Sequence, residues 1–516
     1  MSQAYEKKEE LFSRDLEKNE ARLNDRLGMG KTFDVGVRKL PFLGKEIQVY
    51  YVNGLTDDLV VVELLKELME VDARGRKASE ARKALKNHLS HVQVEETNSM
   101  DDAITQMLSG LLFILIEGSE EAFIIDVRQY PSRNPEEPDT ERVVRGARDG
   151  YTESIVTNTA LTRRRIRDER LRNEMMQVGE RSKTDICISY IEGIADPDLV
   201  RIAKEELEAI HIDGLAMADK IVEEYIVKQG ANPFPLVRYT ERPDVAATHL
   251  LEGHLVIFVD TSPSVIITPT TFFHHVQHAE EYRQSPGVGT FLRWVRFLGI
   301  IFSLFVLPFW LLLTIQPSIL PDALDFIGPK ETTNVPIIVQ ILIAELGIDL
   351  LRMAAIHTPT PLATALGLVA ALLIGDIAID VGLFTPEVIL YVAVGAIGMF
   401  ATPSYELGVS LRIVRILLIL LVGFFKLPGF VVGTTVVLLF LASIKALNKP
   451  YLWPFLPFDH QLPGRSLSGR LFRRFGGGLV SSIRSIRFVS FLTSRGKIQY
   501  FLLLALLDYD RVKTTI

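Results

Sequence analysis

The sequence predicts a cytoplasmic α/β domain of two subdomains fused to an all-α multi-pass membrane domain. Three observations predict it. Residues 1–290 carry 88 of the chain's Asp, Glu, Lys and Arg, whereas residues 291–447 carry 17, most of them at the ends of apolar runs. The first such run, Phe297 to Ile315, is 19 residues without a charge, long enough to cross a bilayer's hydrocarbon core. Before residue 290, short β-type runs alternate with helical spacings, as in an α/β layer.

At 516 residues the chain is too long for a single core. Its net charge of -7 hides an uneven distribution, because residues 465–516 hold ten Lys and Arg against Asp508 and Asp510. A basic tail beyond a membrane domain suits a cytoplasmic leaflet surface and makes membrane lipid a partner. Nucleic acid is excluded as a partner, since no basic, aromatic-interleaved module is visible. The single cysteine, Cys187, rules out an intrachain disulfide. Met1 to Gly30 has no apolar h-region and is not read as a signal peptide.

Residues 1–30 read as a charged, weakly amphipathic arm. In residues 31–162, the first subdomain, Glu46 to Val52 reads as a strand ending at the turn signal Asn53-Gly54. Leu59 to Val71 and Met100 to Ser109 have helical spacing, and Leu111 to Ile116 with Ala122 to Val127 form a strand–turn–strand. Tyr130 to Thr140 is a Pro-rich surface loop. In residues 163–290, the second subdomain, Asp185 to Tyr190 is a strand, and Asp198 to Ile210 and Ala216 to Lys228 are helices. His254 to Asp260 and Ser264 to Thr268 are strands around Thr261-Ser262-Pro263.

Residues 291–447 parse into about six apolar segments, near 293–315, 335–352, 362–380, 386–402, 411–426 and 429–446. Arg293, Arg296, Arg352, Arg412, Arg415, Lys445 and Lys449 then fall on the side of the N-terminal domain, which predicts both termini inside. Lys426-Leu427-Pro428-Gly429 is alternatively the tip of a re-entrant hairpin. Residues 448–516 form the basic C-terminal tail.

Three stretches carry a family likeness. The first is Val144-Arg145-Gly146-Ala147-Arg148-Asp149-Gly150-Tyr151-Thr152-Glu153 with Asn158-Thr159-Ala160-Leu161-Thr162-Arg163-Arg164-Arg165-Ile166. The second comprises Pro233-Phe234-Pro235, Thr240-Glu241-Arg242-Pro243-Asp244, Glu252-Gly253-His254 and Val259-Asp260-Thr261-Ser262-Pro263. The third is Lys449-Pro450-Tyr451-Leu452-Trp453-Pro454-Phe455. Together they resemble the A-subunit (GerA) family of bacterial spore germinant receptors. Arg128-Gln129-Tyr130-Pro131 and Pro135-Glu136-Glu137-Pro138 resemble that family's stage V sporulation branch. The resemblance implies a spore inner-membrane protein acting in germination as a pentameric, cation-conducting homo-oligomer. It also implies a small membrane partner protein and other germinant receptor subunits as partners. Beyond Phe475, the run Gly476-Gly477-Gly478 and the tail after it depart from the family pattern.

Glu345, Asp349 and Arg352 share one helical face by their spacings of four and three. Ionisable groups at membrane depth point to a pathway, or to a structural ion cluster holding helices together. Asp376 and Asp380 also share a face, and in an oligomer they would form carboxylate rings of the kind cation pores use; snorkelling to the interface is the other reading. Arg163, Arg164 and Arg165 read as a solvated face, or as a contact to an anion, a lipid headgroup or a neighbouring subunit. Arg148, Asp149, Glu153 and Asn158 read as an interdomain hydrogen-bonded network, and Glu241 with Arg242 as a charged rigid turn.

His274 and His278 stand at i, i+4 with Glu281 nearby, but lack a convincing fourth ligand, so no metal or cofactor is expected. No nucleophile elbow, phosphate loop or dinucleotide fingerprint appears, and the chain reads as a non-enzyme. The remaining functional classes are a channel subunit, a non-conducting scaffold that organises receptors, and a secondary transporter.

Overall fold

A computed structural model describes residues 10–73, 94–129, 141–319 (142, 144, 145 and 216 excepted), 327–330, 335–357, 367, 377–447 and 449–456. The Pro-rich loop, most of segment 362–380 including Asp376, and the basic tail lie outside the described residues.

Two five-stranded sheets build the N-terminal half. The first has the order β1 (Val35–Phe42), β2 (Lys45–Val52), β4 (Leu112–Ile116), β5 (Ala122–Ile125), β3 (Val94–Thr97). Every pairing in it is antiparallel. The β1–β2 hairpin closes through Leu43 and Gly44, both at positive φ (51° and 77°), the twist that suits a two-residue turn. Pro41, which has no N–H to donate, sits on the edge strand β1. Helix α1 (Leu16–Leu27) starts on an Asp15 cap and stops at left-handed Gly28. Its Leu16, Leu23 and Leu27 join Tyr50, Met107 and Phe113 in one core, so the described part of the charged arm, from residue 10 on, belongs to the fold. Helices α2 (Asp58–Ala73) and α3 (Met100–Met107) complete this layer.

Helix α4 (Ile155–Arg165) leads to the second sheet, ordered β6 (Leu171–Val178), β7 (Thr184–Ile191), β9 (Leu255–Val259), β10 (Val265–Thr268), β8 (Arg238–Thr240). It is also antiparallel throughout. Between its strands lie α5 (Pro197–Glu208), α6 (Ala218–Val227) and α7 (Pro243–Leu251). In α5, Leu199, Val200, Ala203 and Leu207 recur at helical spacing and are buried. Two short helices, α8 (Phe272–Val276) and α9 (Ala279–Arg283), carry the chain to the apolar half.

The apolar half contains α10 (Pro286–Ile315), α11 (Ile337–His357), α12 (Ala378–Asp380), α13 (Pro386–Phe400) and α14 (Tyr405–Ser443). Among the described residues, only α10 and α14 are long and apolar enough to cross a membrane, against about six segments expected from the sequence. The reasons are local. Helix α13 has only 15 residues, and Glu345, Asp349 and Arg352 interrupt α11. The 39-residue run of α14 is two helices meeting at Lys426, whose φ of 57° and ψ of -133° are not helical.

Contacts fix how the helices run. Gly433 packs on Leu418 and Leu421, so the two limbs of α14 lie antiparallel. Leu427 N donates to Gln316 Oε1 (3.0 Å) at the far end of α10. At the near end, Ser410 bonds the Pro233 carbonyl, and Phe440 packs on Phe234 with ring centroids 6.2 Å apart. Gly299 of α10 meets Gly398 of α13, small residues that let two backbones approach. Ile186, Ile257, Phe234, Leu304, Leu411 and Tyr451 belong to one buried cluster, so the second sheet and the helices share a core.

Candidate functional site

Among the described residues, three buried charged joints stand at the junctions of the fold. The first lies between the two sheets. Asp34 follows α1 and precedes β1, and is buried at 3% exposure. It accepts from Arg163 Nε (2.8 Å) and Nη2 (3.2 Å), from Asn173 Nδ2 (2.9 Å) and from Thr32 Oγ1 (2.5 Å). Burial alone would raise the Asp34 carboxyl, but the Arg163 guanidinium and these hydrogen bonds hold it below its ordinary value. Arg163 Nη2 also donates to the Leu171 carbonyl (3.0 Å). The three arginines therefore part company. Arg163 is 1% exposed inside the protein, Arg165 pairs with Asp149 at 2.7 Å, and Arg164 faces outward. A helix turns about 100° per residue, so consecutive arginines cannot all share one solvated face.

Around this joint, Asn158 Nδ2 donates to the Thr152 carbonyl (2.6 Å) and its Oδ1 accepts from Thr152 N (2.7 Å). That clasps the motif loop onto the start of α4. Arg148 and Glu153 are exposed, and the Glu153 carbonyl accepts from Thr261 N (2.8 Å). The Glu241 carbonyl accepts from Tyr151 N (2.8 Å). Arg242, fully buried, donates to Asp244 (3.1 and 3.0 Å) and to the Ala147 carbonyl (2.9 Å). Sequence reasoning missed Asp34, Asn173, Glu141 and Arg238. The last two form a largely buried pair whose guanidinium overcomes burial and lowers the Glu141 carboxyl.

The second joint connects α9 to α10. Glu281 has 0% exposure and is held by Arg293 Nε (2.8 Å) and by Arg296. The third lies inside the helix bundle. Glu345 of α11, 2% exposed, accepts from Arg415 Nη2 (2.8 Å) and faces Arg412 Nη2 (3.2 Å). Asp349 pairs with Arg412 and with Arg352 Nη2 (2.8 Å). Arg415 Nη1 also donates to the Ser303 carbonyl of α10 (2.8 Å), and the Arg352 guanidinium lies 5.4 Å above the Tyr405 ring. Two carboxylates against three guanidinium groups leave one positive charge. The sequence brought Glu345, Asp349 and Arg352 together on one face. It placed Arg293, Arg412 and Arg415 on the side of the N-terminal domain; in the structure they are buried at 1–3% exposure. Each sits inside a helix opposite a carboxylate, and the positive-inside bias concerns charges in loops. Asp380 is exposed on the short α12.

An antiparallel two-sheet head, ion-paired to an apolar helix bundle that is itself locked by buried charges, defines the class of this molecule. The chain matches the family model "Bacillus/Clostridium GerA spore germination protein" over residues 21–473 and belongs to that family. It is 61% identical over 446 residues to stage V sporulation protein AF of Bacillus subtilis (strain 168), covering 86% of this chain and 90% of that one. It is 30% identical over 458 residues to spore germination protein KA of the same organism, covering 87% and 84% respectively. The crystal structure of the N-terminal domain of the A subunit of the Bacillus megaterium spore germinant receptor GerK3 aligns at 26% identity with a TM-score of 0.41, covering 51% of this chain and 98% of that one.

Proposed function

We propose that this protein is one subunit of an oligomeric cation-conducting assembly, of five subunits as the family likeness implies, in the spore inner membrane, and that it promotes ion release during germination. The observation that carries this reading is the charge lock between α11 and α14, set in apolar helices and joined to the head through the near ends of α10 and α14, which share its core. Separating the partners of a buried ion pair is strongly destabilising, so a displacement of one helix favours a second paired arrangement over a continuous deformation. The Glu281 joint gives the head a rigid handle on α10 and, through Ser303, on Arg415. In this account the helices cross the bilayer several times with both termini cytoplasmic. Phe424, Phe425, Val432 and Leu439, all exposed in the single chain, face lipid or a neighbouring subunit. A small membrane partner and germinant receptor subunits act on the head or the bundle to release the lock, and the carboxylates of Asp376 and Asp380 attract the cations.

A second reading, a non-conducting scaffold that organises germinant receptors, is favoured by one feature. Glu345 and Asp349 are already matched by arginines, so neither carboxylate needs a cation. Rubidium efflux from proteoliposomes separates the two. The channel reading expects efflux that Asp376→Asn alters without changing assembly. No efflux from folded, oligomeric protein supported by its partner would favour the scaffold.

A further inference from the structure

His249, Glu252, His254 and His274 converge where α7, the start of β9 and α8 meet, and none of the three joints above uses them. His249 sits in the last turn of α7 and is 4% exposed. Its Nδ1 lies 2.9 Å from the Val245 carbonyl, which fixes the proton on that nitrogen and leaves a lone pair on Nε2. That Nε2 is buried with no hydrogen-bond partner. His254 repeats the arrangement, with Nδ1 2.8 Å from the Pro269 carbonyl. A carbonyl behind the distal ring nitrogen is the usual support of a metal-ligating histidine. The three rings pack edge to face, with centroids 4.9 Å (His254 and His274), 5.2 Å (His249 and His254) and 5.6 Å (His249 and His274) apart. The Glu252 carboxylate stands 4.0 Å from His254 Nε2. Ligand atoms of His249, Glu252 and His274 all lie within 4.8 Å of one another; His254 lies outside that close group and meets it through Glu252.

From this geometry we propose a structural site for a divalent transition metal of the zinc class, bound by His249 Nε2, His254 Nε2, His274 Nε2 and the Glu252 carboxylate. Four ligands of N and O type close a tetrahedral shell and leave no open position for catalysis. Ligand atoms around a tetrahedral zinc stand about 3.3 Å apart, so the side chains draw inward from their metal-free spacing. Burial keeps the imidazoles neutral: the His254 imidazole is pushed down to about 4, and those of His249 and His274 lie well below the ordinary value. His274 Nδ1 lies 3.1 Å from Thr271 N and 3.2 Å from Thr271 Oγ1. Metal binding at Nε2 puts the proton on Nδ1, which then donates to the hydroxyl at the loss of the amide bond. The nearby Arg238 guanidinium opposes a cation, but it is paired with Glu141 and donates to the His274 carbonyl (3.0 Å). His275 is not a ligand, because its Nε2 is 3.3 Å from Thr270 Oγ1. His274 and His278, at i, i+4 in the sequence, do not lie on one helix, since α8 ends at Val276 and His278 caps the next helix instead. The metal would pin α8 to the second sheet immediately before the Glu281 joint, stiffening the route from the head to α10.

The test uses untagged full-length protein in detergent, stripped with a chelator and titrated with zinc and, separately, cobalt. We expect one equivalent of each metal, cobalt absorption bands of a four-coordinate N/O site, and a rise in thermal midpoint with zinc. His249→Gln and His274→Gln should each abolish the stoichiometric site, whereas His275→Gln should keep it. No stoichiometric zinc or cobalt binding to the unaltered protein would overturn the proposal without reference to any variant. One-to-one binding that survives both His249→Gln and His274→Gln would overturn it equally.

Discussion

Replacing Arg163 by Met should open the second sheet far more often, and the single cysteine reports it. The substitution leaves Asp34 at 3% exposure with Asn173 and Thr32 but no counter-charge. Removing one partner of a buried pair destabilises by about 3–5 kcal/mol. Cys187 lies in β7, fully buried, and burial pushes its thiol up, so an aromatic disulfide reagent reaches it only when the sheet opens. Each 1.36 kcal/mol is a factor of ten, which gives a labelling rate about 150-fold to several thousand-fold above that of the unaltered protein. The pH dependence carries a second signature. In the unaltered protein the Asp34 pKa is lowered on folding, so its contribution is present above the unfolded value and fades as pH falls through the folded one. Without Arg163, burial raises that pKa instead. The penalty is then present at neutral pH and relieved as pH falls, so the rate ratio should shrink toward acid. Asp34→Asn combined with Arg163→Met should recover much of the loss. A ratio below about ten, a ratio independent of pH, or a double variant no better than the single would refute the reasoning.

Other substitutions test the remaining joints. Arg415→Gln leaves Glu345 with Arg412 alone and should lower the thermal midpoint in detergent by more than about 5 °C, and adding Glu345→Gln should restore part of it. Gly429→Leu would drive its Cβ into the Leu421 carbonyl; the α14 hairpin should fail to close, and the protein should be lost from the membrane fraction, while the adjacent substitution Phe430→Leu is tolerated. Arg242→Lys cannot span Asp244 and the Ala147 carbonyl together, so about 2–3 kcal/mol is lost, and Cys187 labelling should accelerate by roughly 30- to 150-fold.

Elements with strong period were legible in the sequence. The strand at Glu46 to Val52, the pair around Glu117-Gly118, and α5 with its buried stripe all stand near where spacing put them. The partner strand β1 was not read, because its burial weakens in the middle and Pro41 breaks the pattern; the two-residue Leu43-Gly44 turn was the available signal. Helix α4 was hidden by a run of Asn, Thr and Arg with little apolar periodicity, since polar bonds such as those of Asn158 and Arg163 hold much of it in place. Glu345, Asp349 and Arg352 were visible as one face, but their partners 60 to 70 residues away were not. Long-range pairing leaves no local pattern. For the same reason the buried histidines came together only in three dimensions, from α7, β9 and α8.

Single-channel recording from the purified protein in planar bilayers, with and without its small membrane partner, tests the central claim most directly. The account predicts cation-selective current steps that Asp376→Asn changes in size or selectivity, while assembly stays intact. Silent bilayers, from protein that is folded, oligomeric and joined to its partner, would contradict it and leave the scaffold reading in its place.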